Sequence, residues 1–137
     1  MTAEGETVRA IENKQPYLDL MMQSWGSHRM MIGLRLYDCE VLPLTGLFDA
    51  QDRLLAAASW TVEGDVGILC SLHALQPGTG AAMRLLAAIQ ALARAEGAVR
   101  LRAMVTNDNM PAMMFYQKQG FRFSGLYVDA IELEIAL

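Results

Sequence analysis

The stretch VGILCSLHALQPGTGAAMRLLAAIQALARAEGAVRLRAMVT, residues 66–106, decides the fold. Its first ten residues form a nearly continuous apolar run, which is typical of a strand covered on both faces. A glycine-containing turn follows, and apolar residues then recur at helical spacing until Gly97, where a helix usually ends. Residues 98–106 alternate in character and predict a second strand. This order predicts a βαβ unit with parallel strands and a right-handed crossover.

The two periodicities also predict which side chains of this unit face the core. In the helix, the apolar face is expected to consist of Ala82, Leu85, Leu86, Ile89, Leu92 and Ala93. In the second strand, one side is expected to carry Val99, Leu101, Ala103 and Val105.

Strand patterns flank this unit on both sides and enlarge the sheet. Residues 42–50 and 53–63 are separated by Gln51-Asp52 and predict a hairpin, and residues 63–65 predict a second turn. Residues 26–41 show no clear pattern. A first strand, two further helices and two final strands are expected at residues 7–11, 17–25, 110–119, 121–127 and 128–137. The prediction is an α/β fold with a mixed, mostly antiparallel central sheet.

Composition indicates one domain spanning residues 1–137. Apolar residues make up 53% of the 137, too many for a disordered chain. No apolar run reaches the roughly 18 residues of a membrane helix, and the polar, acidic N-terminus lacks the pattern of a signal peptide. Cys39 and Cys70 lack metal-type spacing, so two reduced thiols in a cytoplasmic protein are expected.

Charge and histidine content argue against two further classes. The net charge of −4 disfavours a general nucleic-acid binder, which needs a basic face to displace counterions. The two histidines, His28 and His73, each lack a second ligand at metal spacing, so no metal site is predicted.

The turn QPGTG at residues 76–80 has two interpretations. It can be an ordinary connection into a helix, or it can hold phosphate on the backbone N–H groups of Gly78, Gly80 and the first helical turn. Thr79 is expected to cap the helix. A P-loop is disfavoured because no lysine follows, and a dinucleotide fingerprint because Met83 occupies the third glycine position.

A second motif indicates which ligand fits this turn. The stretch NDNMPAMMFYQKQGF, residues 107–121, has the spacing N-x-x-A-x-x-F-Y-x-x-x-G-F. With the turn and the strand between them, it resembles the GNAT superfamily of N-acetyltransferases over about residues 55–122. The six matching positions are Asn109, Ala112, Phe115, Tyr116, Gly120 and Phe121.

The resemblance implies the acyl-CoA N-acyltransferase fold, in which two central strands splay apart and admit the pantetheine arm of acetyl-CoA. No metal is implied. In the family's pyrophosphate turn, Gly80 and Ala82 fill the glycine positions, but Pro77 stands where the family has Gln or Arg. The cofactor-binding residues implied are Leu72, His73, Ala74, Gly78, Thr79, Gly80, Ala81, Ala82, Asn109, Ala112 and Tyr116.

The resemblance also implies direct attack of an amine on the thioester. Tyr116 matches the family's acid, and a phenol of pKa about 10 can protonate a thiolate whose conjugate acid has a pKa of about 8.5. Many relatives use a glutamate on the first splayed strand as the base, but this strand has none, and His73 is the candidate in its place. Other candidate bases are Glu63, Asp38, Glu40 and His28, whereas Glu132 and Glu134 are expected to face solvent.

Two other functions remain open. The chain can be a non-catalytic acyl-CoA-binding or regulatory domain, because the usual base is missing. It can also be a self-associating structural protein, since C-terminal edge strands can pair between chains, and a homodimer fits either an enzyme or a structural role. The acceptor is an unidentified amine, with Trp25 near the segment expected to roof its site.

Overall fold

A seven-stranded sheet forms the centre of the computed structural model, which describes residues 3–27, 29–32 and 35–137. In chain order the elements are β1 (Thr7–Ala10), α1 (Gln15–Trp25), β2 (Arg29–Ile32), β3 (Arg35–Asp38), β4 (Leu44–Phe48), β5 (Leu54–Glu63), β6 (Val66–Ala74), α2 (Ala81–Ala95), β7 (Arg100–Thr106), α3 (Met110–Lys118), β8 (Arg122–Leu126) and β9 (Ala130–Ala136).

The sheet order is β1-β4-β5-β6-β7-β9-β8, and β2 pairs with β3 in a separate hairpin. Within the described ranges, β6 and β7 form the one parallel pair of the sheet, and its other neighbouring strands are antiparallel. The predicted α/β fold with a mixed, mostly antiparallel sheet is therefore confirmed.

Two hydrophobic cores cover the sheet. One contains the buried faces of α2 and α3, with Leu85, Ile89 and Tyr116 among its members. The other contains α1 and the β2–β3 hairpin, including Met21 and Tyr37. The hairpin was not predicted, because its two strands are only four residues each and mix charged with apolar side chains.

Helix α2 buries a slightly different face from the predicted one. Leu85, Leu86, Ile89 and Ala93 are buried as expected, but Ala81 is buried with them and Ala82 is only partly buried. Leu92 is 40% exposed because it borders an open groove beside β1.

Strand β7 begins one residue after the predicted Val99, whose side chain is half exposed. Leu101, Ala103 and Val105 are buried, as the alternation predicts. The β4–β5 hairpin and the turn at Gly64 are both present. Among the helices in the described ranges, none is both long enough and apolar enough to cross a bilayer.

Candidate active site

The strands β6 and β7 separate partway along their length. Their parallel pairing starts at Val66 and stops where Leu69 lies opposite Ala103. Strand β6 nevertheless continues to Ala74 and β7 to Thr106. Backbone groups that the two strands direct toward each other beyond this point have no ladder partner, and such groups need one. The gap can therefore receive an extended, polar chain.

A β-bulge at Cys70 marks the point of separation. Ser59 of β5 lies opposite Ser71, and the next residue, Trp60, lies opposite Leu69, so Cys70 is the extra residue on β6. An extra residue bends a strand and increases its local twist. The bulge thus accounts for the departure of the second half of β6 from β7.

The register after the bulge decides which backbone groups of β6 face the gap. The N–H of Leu75 donates to the carbonyl of Leu55 on β5, at 2.9 Å, and the pairing is regular back to the bulge. In an antiparallel ladder every second residue directs its N–H and C=O toward the same neighbour. His73 therefore faces β5 with its backbone, whereas Leu72 and Ala74 face the gap. Of the three residues expected to offer backbone groups to a cofactor, His73 is not placed to do so.

A cleft of about 400 Å³ opens between the separated strands. It is bordered by β6, β7, α3 and the end of α1. The structure brings four sequence-predicted residues to its wall, Leu72, Asn109, Ala112 and Tyr116, together with Trp25.

Tyr116 packs between two aromatic rings in this wall. Its ring centroid lies 5.3 Å from that of Phe115 and 5.1 Å from that of Phe121. The residue is 8% exposed, and burial raises the pKa of its phenol above the ordinary value. Its hydroxyl makes no hydrogen bond to any residue that the structure describes. Tyr116 therefore carries a protonated hydroxyl that is available to a ligand in the cleft.

Asn109 has the capping role that its position suggests. Its side-chain oxygen accepts a hydrogen bond from the N–H of Ala112 at 3.2 Å, which caps α3. Its side-chain nitrogen has no partner in the described part of the chain. The same residue thus fixes the start of α3 and leaves a donor at the cleft.

The glycine turn presents several free N–H groups at the start of α2. Gly78 and Gly80 have φ values of 82° and 77°, in the left-handed region that glycine tolerates. The first backbone hydrogen bond of the helix runs from Arg84 to the Gly80 carbonyl. Within the described residues, the N–H groups of residues 78–83 have no backbone acceptor. Such groups, at the positive end of a helix dipole, favour a bound anion.

Thr79 does not cap α2, contrary to the prediction. Its hydroxyl donates to the carbonyl of Gln76 at 2.8 Å, and Gly80 occupies the N-cap position without a side-chain bond. The left-handed Gly78 folds the chain back, so the Thr79 side chain meets Gln76 rather than the helix. Its proton is thereby used within the turn.

The candidate base His73 lies on the α1 side of β6. Its ring centroid is 5.5 Å from that of Trp25 and 6.5 Å from that of Tyr17. Burial lowers the pKa of the imidazole, so the neutral form that can accept a proton predominates at pH 7. His73 is not one of the residues that border the cleft, but its ring contacts Trp25, which is.

The other candidate bases lie elsewhere. Glu63 pairs with Arg35 at 2.7 Å and accepts a hydrogen bond from Tyr37 at 2.6 Å. Burial and this carboxylate raise the pKa of Tyr37 to about 12. Asp38 pairs with Arg29 at 3.6 Å, Glu40 is exposed on the turn after β3, and His28 lies outside the described residues.

A second cavity, of about 580 Å³, lies on another side of the gap. It shares Cys70, Met104, Val105 and Thr106 with the cleft, so the two spaces meet at the separated strands. Its other walls come from β2 and the β8–β9 turn, including Arg29, Met31, Ile32, Tyr127, Val128 and Asp129. Sequence reasoning missed the β2 residues because it resolved no elements at residues 26–41, and it gave the turn between the last two strands no role.

A buried chain of hydroxyl and thiol groups holds the bulged strand in place. Tyr17 of α1 donates to Ser71 at 2.9 Å, Ser71 bonds to Ser59 at 2.5 Å, and Ser59 bonds to Cys39 at 3.0 Å. Burial raises the pKa values of Tyr17 and Cys39, so both stay protonated at neutral pH. Because its members are far apart in sequence, no local pattern predicts the chain.

The burial of Glu132 contradicts the sequence-based expectation. It was expected to face solvent, but it is 6% exposed. Its carboxylate accepts hydrogen bonds from Ser124 at 3.0 Å and Tyr127 at 3.3 Å, and lies 3.5 Å from Arg102. Glu134, which is partly buried, lies opposite Arg102 and pairs with it at 2.8 Å. The positive charge of Arg102 on the neighbouring strand offsets the cost of burying the Glu132 carboxylate.

Both cysteines are free and buried. Burial raises the pKa of the Cys70 thiol, which lines both the cleft and the second cavity. No group of three or more His, Cys, Asp or Glu side chains that can hold a metal ion occurs in the described ranges.

Known proteins share both sequence and fold with this chain. A model of the Acetyltransferase (GNAT) family matches residues 24–121. The uncharacterized protein YxbD of Bacillus subtilis (strain 168) is 30% identical over 108 residues, covering 79% of this chain and 68% of YxbD.

Two solved structures show how far the likeness of fold extends. Spermidine N-acetyltransferase from Vibrio cholerae has a TM-score of 0.75 at 14% identity, over 98% of this chain and 95% of that one. An acetyltransferase from Bacillus subtilis, solved in complex with CoA, has a TM-score of 0.70 at 13% identity, over 96% and 99%. The predicted acyl-CoA N-acyltransferase fold is thereby confirmed.

Proposed function

Because this chain belongs to the GNAT family of acetyltransferases, we propose that it transfers the acetyl group of acetyl-CoA to a primary amine. The observation that carries the proposal is the cleft between β6 and β7. Free helix N–H groups lie at the turn that follows β6, and the unpartnered hydroxyl of Tyr116 lies in the cleft wall.

The residues of the cleft and of the glycine turn fit an acyl-CoA. The N–H groups of residues 78–83 suit a pyrophosphate, because they are free donors at a helix N-terminus. The backbone groups of Leu72 and Ala74 suit the amides of a pantetheine arm, and the side-chain nitrogen of Asn109 offers one more donor. When bound, acetyl-CoA supplies a thioester whose carbonyl carbon the amine attacks, forming the amide and breaking the C–S bond.

Tyr116 is the proposed acid that protonates the departing thiolate. Its raised pKa keeps the proton on the phenol at neutral pH but makes it harder to release. Burial acts on a thiol in the same way, as the raised pKa of Cys70 beside the cleft illustrates. A thiolate formed in this cleft is therefore a stronger base than in water, so the transfer stays feasible.

The acceptor amine is proposed to approach through the second cavity, since that space meets the cleft at Met104, Val105 and Thr106. His73 stays the proposed base, because its ring contacts Trp25 in the cleft wall and its lowered pKa leaves it neutral at pH 7. It takes the proton that the ammonium form of the substrate must lose before its nitrogen can attack.

Replacing the Tyr116 hydroxyl tests the proposal. For Tyr116→Phe we expect a roughly 100-fold fall in thiol release from acetyl-CoA with an amine panel, the scale typical of positioned acid catalysis. The affinity for CoA, measured by calorimetry, is expected to stay unchanged because the ring remains. Tyr37→Phe is the matched control, since its hydroxyl bonds to Glu63 away from the cleft.

Two outcomes would contradict the proposal in different ways. Tight CoA binding without turnover by the wild type, across the whole panel, would indicate the non-catalytic acyl-CoA-binding domain instead. Turnover that is equal in Tyr116→Phe and the wild type would remove Tyr116 from the acid role while leaving the transferase activity in place.

A further inference from the structure

Pro77 gives the proposed pyrophosphate turn neither a side-chain donor nor an N–H, and Arg84 reaches into this turn from the helix. We propose that Arg84, oriented by Glu6, is a positioning residue that locks the Thr79–Gly80 peptide so that the Gly80 N–H faces the pyrophosphate. The inference rests on the proposed function and adds a specific pair of residues to it.

Three hydrogen bonds define the lock. The Nη1 of Arg84 donates to the carbonyl oxygen of Thr79 at 2.8 Å. Its Nε and Nη2 donate to the two carboxylate oxygens of Glu6, at 2.9 and 2.8 Å. This bidentate geometry fixes the plane of the guanidinium group, so the third donor is aimed at Thr79.

The pair is much less exposed than an ordinary surface ion pair. The side chains of Arg84 and Glu6 are 17% and 8% exposed, and the hydrogen bonds from Arg84 lower the pKa of the Glu6 carboxyl. Because Glu6 offsets the charge of Arg84 and takes two of its donors, attraction of phosphate is not its main role. The remaining donor of Arg84, Nη1, instead holds the Thr79–Gly80 peptide in place.

Because the peptide is planar, the contact with the Thr79 carbonyl also determines the direction of the Gly80 N–H. In a trans peptide, the C=O of one residue and the N–H of the next point in opposite directions, and no cis peptide occurs in the described residues. Holding the Thr79 carbonyl toward Arg84 therefore directs the Gly80 N–H to the side away from Arg84, where it has no backbone acceptor among the described residues. A flipped peptide would present a carbonyl oxygen to the phosphate and repel it.

The turn needs such a lock because its own sequence is permissive. Gly78 and Gly80 both have positive φ and both accept a wide range of backbone conformations. Pro77 contributes neither a side-chain donor nor an N–H. A β-carbon at Gly80 would lie 3.0 Å from Nη1 of Arg84, so the guanidinium group also occupies the space that a side chain would fill.

The decisive experiment compares two donors that differ in the pyrophosphate. Acetyl-CoA carries it, whereas S-acetylpantetheine has no phosphate. For Arg84→Met we expect the KM for acetyl-CoA and the Kd for CoA to rise about tenfold, as for one weakened hydrogen bond to a charged group. The KM for S-acetylpantetheine and kcat with either donor are expected to change by less than about twofold.

Two further variants support the comparison. Glu6→Gln is expected to give the same selective rise to a smaller extent, because one carboxylate oxygen becomes a donor and the fork is broken. Arg94→Met, on the exposed last turn of the same helix, is the matched control. It is expected to leave the KM values for both donors unchanged. In amide NMR spectra, the Gly80 signal is expected to shift with CoA in the wild type and much less in Arg84→Met.

The results separate this inference from the proposed function. Equal losses with both donors would indicate general damage to the fold, and unchanged values with both would leave Arg84 without a role; either result would overturn the inference. A wild-type protein that neither binds CoA nor turns over acetyl-CoA would instead refute the proposed function, and the inference with it.

Discussion

Among single residues, burial moves the proposed acid and base in opposite directions. It raises the pKa of the Tyr116 phenol and lowers that of the His73 imidazole. At neutral pH the first therefore keeps its proton and the second lacks one. These are the states that a proton donor and a proton acceptor need, and sites that separate two such groups by environment are typical of acid–base catalysis.

His73→Gln tests the role of the imidazole. We expect kcat to fall roughly 100-fold, since a positioned base commonly contributes on that order. In the wild type, kcat/KM is expected to fall only below the ordinary histidine pKa of about 6.5, because burial lowers the pKa of His73. The variant is expected to lack this acidic limb. A profile of kcat/KM against pH checks this, and an unchanged limb would assign it to another group.

The lowered pKa of His73 also predicts how the stability of the protein changes with pH. Below pH 6.5 the unfolded His73 binds more protons than the folded one, because its folded pKa is the lower of the two. The contribution of His73 to the free energy of unfolding is therefore fully present above that pH and is lost as the pH drops toward the folded pKa. Urea unfolding of the wild type and His73→Gln between pH 5 and 7 is expected to show a weaker pH dependence in the variant.

Among the elements, α3 carries the proposed acid, and its N-cap residue, Asn109, both fixes where the helix begins and offers the free side-chain N–H at the cleft. The Asn109 oxygen caps the helix through the Ala112 N–H, and Gly120, with a φ of 97°, follows its last turn. Tyr116 lies between these two ends. The position of its hydroxyl therefore depends on the cap as well as on the neighbouring aromatic rings.

The cap and the free amide of Asn109 can be tested separately. Asn109→Ala is expected to lower the free energy of unfolding by about 1 kcal/mol through loss of the cap, and to weaken CoA binding. Asn109→Asp keeps a capping oxygen but has no side-chain N–H, so its stability is expected to recover while its CoA affinity does not. Urea unfolding and calorimetry measure the two effects, and full recovery of both would leave the amide without a role.

Local sequence predicts the elements that have strong periods or motifs. The βαβ unit, the hairpin of β4 and β5, and the Asn109–Phe121 motif all lie where they were expected. The wall of the cleft formed by α3 follows from that motif. The second cavity could not be anticipated, since it depends on the short hairpin β2–β3, whose residues carry no clean alternation.

Long-range pairing decided what local sequence could not. The bulge at Cys70 is visible only once Ser59 and Trp60 are placed opposite β6. The burial of Glu132 depends on Arg102 of the neighbouring strand and on Ser124. Thr79 was expected at the cap because its type favours that position, but the positive φ of Gly78 turned its hydroxyl toward Gln76.

In the whole molecule, the opened strand is held from several directions. Ser71 is tied to α1 by Tyr17 and to β5 by Ser59, and β7 stays paired with β9 along its full length. The two sides of the gap therefore belong to separately anchored parts of one sheet. The gap is a built feature of the fold rather than a frayed end.

The shared wall of the two cavities has a consequence for kinetics. The cleft and the second cavity share wall residues of β6 and β7, and their other walls come from different elements. In the proposed reaction, donor and acceptor therefore need not compete for one entrance. Both substrates can then be bound at the same time, and the proposed transfer needs no acetyl-enzyme intermediate. Double-reciprocal plots at several fixed amine concentrations are expected to intersect, and parallel lines would point to a two-stage exchange through the enzyme itself.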